Sequence, residues 1–137
     1  MAINPSVRVR AAMSKNIVSV EAHRSIRSAV KTMIRKDLGT VVITEDGQPA
    51  GIVTERDIMK SIGYGKVNLD AIVGKIMSKP LISIGSDATL GETADIMIKR
   101  KVRRLLVKEN GNNYVGIITQ RDLQRLMTDT FRSILLI

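Results

Sequence analysis

Two polar pairs, Thr54 with Asp57 and Thr119 with Asp122, carry the chemistry this chain could do. They close two near-identical runs, Gly51-Ile52-Val53-Thr54-Glu55-Arg56-Asp57 and Gly116-Ile117-Ile118-Thr119-Gln120-Arg121-Asp122. Each run reads as a short buried strand entering a helix. The glycine lets the backbone come close to something. The Thr and Asp, three residues apart, point the same way. A hydroxyl and a carboxylate beside free helix N–H groups can hold a polyhydroxylated, phosphorylated ligand. The same Thr-x-x-Asp spacing also describes a capping box, in which Thr accepts a backbone N–H and the acid reaches back. A cap requires neither the Gly-apolar-apolar lead-in nor the duplication, and these two features favour a binding site.

No catalytic constellation accompanies the pairs. Gly-x-Ser-x-Gly, a Walker phosphate loop and His-Glu-x-x-His are all absent from the sequence. Gly63-Tyr64-Gly65 has no third glycine in register and follows a helix pattern. His23, the single histidine, has no second ligand type near it, so a loop position fits better than a metal site. No catalytic residue, catalytic cofactor or metal ligand is expected.

The elements that position the pairs can be read along the chain. Residues 1–10, with Pro5, form a lead-in open to fraying. Met13-Ser14-Lys15 precedes a short strand, Ile17 to Val20. Ile26, Ala29, Val30, Met33 and Ile34 make an apolar helical stripe, with Ser25 as its cap. Arg27, Lys31 and Arg35 lie opposite, toward water. Thr40 to Ile43 is a buried strand, Asp46-Gly47 a hairpin turn and Gly51 to Val53 the return strand. A helix follows from about Thr54 to Ser61. The glycines at 63 and 65 mark a linker, and Leu69, Ile72, Val73 and Ile76 recur at helical spacing beyond it.

The second half repeats the first. Met77-Ser78-Lys79, Leu81 to Ile84 and the stripe Leu90, Thr93, Ala94, Met97, Ile98 match their counterparts. Thr89 and Glu92 supply a capping box. Leu105 to Val107 is the buried strand, Asn110-Gly111 the turn, and Leu123, Leu126 and Met127 the apolar face of the last helix. The apolar tail, Phe131 to Ile137, is expected to pack on its own module or on a second chain. The class is α/β (α+β). A unit of some sixty residues buries little surface alone, so two copies facing each other about a pseudo-twofold axis are expected, with ligand grooves where they meet.

Composition bounds the partners. The chain has 137 residues, 44% of them hydrophobic and 2% aromatic, so its core is aliphatic. Cysteine is absent, which excludes disulfides and thiolate sites. No apolar run is long enough for a membrane span and no signal peptide is evident, so a soluble cytoplasmic protein is expected. The formal charge of +9 favours polyanions: nucleotides, nucleic acid or an acidic partner. Nucleic-acid binding is the main rival function, although the chain offers few aromatic platforms for single strands.

Taken together, the Met-Ser-Lys segments, the Asp-Gly and Asn-Gly hairpins and the doubled Gly-Ile-Val-Thr-Glu-Arg-Asp motif closely resemble a tandem pair of cystathionine-β-synthase (CBS) domains, a Bateman module, from about Ala11 to Met127. The resemblance implies two βαββα repeats, with residues 1–10 as lead-in, 11–65 as the first domain and 66–137 as the second. It implies a regulatory sensor, not an enzyme, that binds AMP, ADP, ATP or S-adenosylmethionine, dimerises and controls an unidentified partner protein. By position, Thr54, Asp57, Thr119 and Asp122 would hold ribose. Asn16, Ile17 and Val18, and Pro80, Leu81 and Ile82, would wall the adenine. Arg103 and Arg104 stand where phosphate-binding basic residues are found, against Gly39 and Thr40 in the first repeat, so the two sites are expected to be unequal. Arg104 has a structural salt bridge as its alternative role. Arg56 and Arg121 are further phosphate candidates, with a solvent-facing role as the alternative. A dimeric interaction module without a working ligand groove is the remaining alternative.

Overall fold

The computed structural model describes residues 6–79 and 81–135, with the backbone alone at 130, 131, 133 and 134. Ten regular elements follow the expected order. They are β1 (Ser19–Glu21), α1 (Ile26–Lys36), β2 (Thr40–Glu45), β3 (Gln48–Thr54), α2 (Glu55–Gly63), β4 (Ser83–Gly85), α3 (Leu90–Arg100), β5 (Arg104–Glu109), β6 (Asn113–Thr119) and α4 (Gln120–Leu135). The architecture is α+β, with two three-stranded sheets ordered β1-β2-β3 and β4-β5-β6. In each, the first pair is parallel and the second is an antiparallel hairpin.

The chain forms two compact units. The N-unit is Ile17–Leu81. The C-unit joins the residues up to Asn16 to those from Ile82 onward. This division differs from that of the sequence repeats, because the Met-Ser-Lys segment leading each repeat docks on the sheet of the other. Ser78 exchanges both backbone hydrogen bonds with Ile52 of β3 (2.9 and 3.2 Å), and Ser14 does the same with Ile117 of β6 (2.9 Å each). The motif glycines make this possible. A Cβ on Gly51 would stand 2.8 Å from both Met77 Sδ and the Ser78 carbonyl. One on Gly116 would stand 2.6 Å from Met13 Sδ and 2.7 Å from the Ser14 carbonyl. The close approach anticipated at these glycines is therefore made by the protein's own backbone.

The N-unit core gathers Val20, Ile26, Ala29, Met33, Val41, Ile43, Val53 and Val73. The C-unit core gathers Val9, Ala12, Ile84, Leu90, Met97, Leu105, Val107 and Ile118. Burial follows the apolar stripes with one exception in each. Ile34 and Ile98, at matching places near the ends of α1 and α3, are both 75% exposed. The hairpin turns adopt the left-handed backbone their sequences favour: Asp46 and Gly47 have φ 52° and 77°, Asn110 and Gly111 φ 46° and 83°.

Several expectations need correction. Within the lead-in, residues 6–10 are not frayed: Val9 is fully buried, its N–H donates to the Ala88 carbonyl, and Arg10 pairs with Asp87. Met1–Pro5 lie outside the described residues. The first strands are shorter than expected, because Ile17 and Leu81 precede the paired stretch and only the Val18 and Ile82 carbonyls accept, from Val42 and Leu106. The stretch around Leu69 to Ile76 is a loop with one 3-10 turn, Val73–Lys75. Its apolar residues Leu69, Val73 and Ile76 pack into the N-unit core, while Ile72 is exposed. At Thr89 half of the capping box forms: the hydroxyl accepts from the Glu92 N–H (3.1 Å), with no return bond among the described residues. The expected packing of the tail is not corrected: Leu135 is exposed on the single chain, and the side chains at 131, 133 and 134 and all of Leu136 and Ile137 lie outside the described residues.

Candidate functional site

The Thr-x-x-Asp pairs sit where β3 passes into α2 and where β6 passes into α4. Both make the capping box that competed with the binding-site reading. The Thr54 N–H and hydroxyl donate to Asp57 Oδ2 (2.9 and 3.0 Å), and the Asp57 N–H donates back to Thr54 Oγ1 (3.2 Å). Thr119 and Asp122 repeat the arrangement at 2.9, 3.1 and 3.2 Å. Each Thr hydroxyl thus spends its one proton and accepts a hydrogen bond within the box. Each carboxylate spends Oδ2 and keeps Oδ1.

At Oδ1 the two boxes differ. Asp122 Oδ1 accepts from Arg125 Nη2 at 2.9 Å, and the Asp122 side chain is 11% exposed. Asp57 is half-buried, and its Oδ1 has no partner among the described residues, although Lys60 stands at the position matching Arg125. The Asp-x-x-Arg spacing on a helix permits the Arg125 pair, as Asp-x-x-Lys would permit one at Lys60.

Beside each box the central strand begins. Thr40 of β2 lies opposite Thr54, and Arg104 of β5 lies opposite Thr119. The Glu55 N–H donates to the Gly39 carbonyl (3.0 Å), and the Gln120 N–H to the Arg103 carbonyl (2.7 Å). The structure therefore gathers Arg103, Arg104, Thr119 and Asp122 at one corner of the C-unit. Arg104 is half-buried; Arg103, Arg56 and Arg121 are exposed. At the matching corner of the N-unit stand Gly39, Thr40, Thr54 and Asp57. Here sequence reasoning missed Glu55, whose side chain lies over Gly39: its Oε1 is 3.2 Å from where a Cβ on Gly39 would be.

Of the proposed adenine walls, Val18 and Ile82 are partly committed to the cores, while Ile17 and Leu81 are half-buried outside the core clusters. Asn16 is exposed, and Pro80 lies outside the described residues. Asn16 and Ile82 belong to the C-unit; Ile17, Val18 and Leu81 belong to the N-unit.

An open groove of about 490 Å³ runs elsewhere on the N-unit, along β1 and α1. Arg24, Arg27, Lys31 and Arg35 line it, and Arg27 also pairs with Asp70 (3.3 Å). None of the motif residues lines this groove. No cluster of three or more metal-ligating side chains occurs among the described residues, and no described helix is long and apolar enough to cross a membrane.

Comparison with known proteins bears on this geometry. The family model described as CBS domain matches twice, at residues 9–64 and 73–129. A protein of Methanopyrus kandleri is 29% identical over 120 residues, covering 86% of this chain and 61% of the relative. A 17.7 kDa protein of Acidianus ambivalens is 32% identical over 126 residues, covering 90% of this chain and 75% of the relative. Among solved structures, the CBS domain pair of protein MJ0100, in complex with 5′-methylthioadenosine and S-adenosyl-L-methionine, is similar at a TM-score of 0.81 and 26% identity, over 92% of this chain and 99% of that one.

Proposed function

The chain belongs to the CBS-domain family as a tandem pair, a regulatory module, and from that premise we propose that it senses adenosine-type ligands and relays their presence to a partner protein. The observation that carries this reading is the repeated box with one carboxylate oxygen to spare. Thr54 holds the Asp57 side chain in one rotamer, and Oδ1 is left to accept from vicinal ribose hydroxyls. Each such charge-assisted bond contributes about 1.5–3 kcal/mol. Asp122 accepts in the same way once Arg125, whose own side chain is exposed, swings aside. In this refinement the threonines act by fixing the carboxylates, not by touching the sugar.

Within the N-unit, Ile17 and Leu81 offer apolar surface for a base; within the C-unit, Arg103 and Arg104 attract phosphate. The complex of the MJ0100 pair with two adenosine derivatives supports an adenosine class of ligand. The pair acts as a homodimeric regulator without chemistry of its own.

Thermal unfolding of the full chain with AMP, ADP, ATP, 5′-methylthioadenosine and S-adenosylmethionine tests the proposal. At a hundredfold excess over Kd, a bound ligand adds about 2.7 kcal/mol of stability. Asp57→Asn and Asp122→Asn, which keep the cap's shape, should reduce the gain. No shift with any of the five would remove this reading.

The basic groove beside α1 favours a second reading, polyanion binding. Its signature is nucleic-acid affinity that falls steeply with salt and survives both Asp→Asn changes.

A further inference from the structure

We propose that the two corners sort adenosine-type ligands by charge. The Asp57 corner takes a nucleoside whose 5′ group is neutral or cationic, and the Asp122 corner takes a 5′-phosphorylated one. This rests on the adenosine reading above and specifies the ligand class for each half of the chain.

The two corners share a backbone frame. The caps agree to 0.1 Å in all three hydrogen bonds. The Thr40–Thr54 and Arg104–Thr119 pairings occupy the same register, and the bond from the first helical N–H to the residue before the central strand recurs in both. On that common frame three side chains are exchanged. Gly39, Thr40 and Glu55 in the N-unit stand for Arg103, Arg104 and Gln120 in the C-unit.

The exchange is concerted. Gly39 has no side chain, and Glu55 lies over the space that leaves, its Oε1, Cδ and Cγ at 3.2, 3.4 and 3.9 Å from a notional Cβ. The N-unit thus puts a carboxylate beside the residue whose counterpart carries a guanidinium. With Arg56 and Asp57 included, two carboxylates and one guanidinium give that corner a formal charge of −1. Three guanidiniums and one carboxylate give the C-unit corner +2. The state of the box carboxylate runs in the same direction. Arg125 pairs with Asp122 Oδ1, whereas Asp57 Oδ1 has no partner among the described residues.

A 5′ group sits only a few bonds from the ribose hydroxyls, well inside the screening length of about 8 Å at physiological salt. A phosphate held at Asp57 would face Glu55 as well, and like charges so juxtaposed discriminate strongly against a ligand. A sulfonium there gains from both carboxylates. At the Asp122 corner the signs reverse.

Calorimetric titration of the full chain tests this with three probes: ADP, the sulfonium S-adenosylmethionine, and neutral 5′-methylthioadenosine as reference. ADP should bind one site, lost in Asp122→Asn and kept in Asp57→Asn. S-adenosylmethionine should show the opposite pattern. Glu55→Gln, which leaves the helix start intact, should raise ADP affinity at the Asp57 site about tenfold while leaving the neutral reference unchanged. The double variant Gly39→Arg/Glu55→Gln should bring ADP stoichiometry to two. A purely structural role for Glu55 would move stability without moving the ADP-to-reference affinity ratio, and would overturn the proposal. Equal ADP binding at both corners of the wild type would overturn it too, while leaving the adenosine reading intact. If none of the three probes binds, the adenosine reading falls and the charge assignment with it.

Discussion

The sulfur of Met77 lies 2.8 Å from where a Cβ on Gly51 would stand. Real side chains do not pack that closely, so the glycine is required by its neighbour, not by a turn. Its φ lies outside the left-handed region, and Gly116 repeats the relationship with Met13. Gly51→Ala and Gly116→Ala should each destabilise the chain by about 1–3 kcal/mol, the cost of overpacking. Shortening the methionine in the same molecule should recover only part of the loss, because the Ser78 and Ser14 carbonyls press on the same space. Denaturant midpoints for the single and double variants check this.

The capping boxes make a separate prediction about stability. Thr54→Val and Thr119→Val remove the acceptor for the Asp57 and Asp122 N–H groups and should each cost about 1 kcal/mol. Thr→Ser at either position should cost much less. If the threonines act through the carboxylates, Thr→Ser should also preserve ligand-induced stabilisation in thermal unfolding, while Thr→Val lowers it.

Arg125 separates the two boxes. Arg125→Ala frees Oδ1 of the buried Asp122, so affinity for a neutral adenosine derivative at that corner should rise several-fold. Lys60→Ala, at the matching place beside an Asp57 it does not pair with, should leave the neutral ligand's affinity unchanged. Calorimetry on the two variants checks the contrast.

Helices α1 and α3 end on non-glycine residues in the left-handed region, Asp37 at φ 53° and Lys101 at φ 54°. Glycine relieves that strain, so Lys101→Gly should stabilise by about 1 kcal/mol. Asp37→Gly should gain less, because aspartate tolerates this conformation better. Thermal unfolding of the two variants gives the order.

Much of the fold was legible. The change from buried strand to helical stripe placed α1 and α3, and the Asp-Gly and Asn-Gly turns placed both hairpins, because these signals are local. The cap at Thr54 was legible too, as the competitor of a binding site. What packs on Gly51 was not, since Met77 reaches it across a loop and only the strand register brings them together. The expected helical turns around Leu69 to Ile76 failed for a related reason: four apolar residues at helical spacing also suit an irregular segment that drops three of them into a core. Nor could Glu55 over Gly39 be read, because it depends on a rotamer taken where the opposing residue has no side chain. Arg125 and Lys60 show the same limit, since identical spacing yields an ion pair in one repeat and none in the other.

The docking of each Met-Ser-Lys segment on the other repeat's sheet has a practical outcome. A nick in the loop at 64–66, just past the end of α2, would leave two fragments, each carrying a strip that completes the other's sheet. Such halves are mutual prostheses, poorly folded apart and able to reassemble when mixed. This makes the loop a natural cut point for a split-protein reporter, whose recovery could be read against added nucleotide.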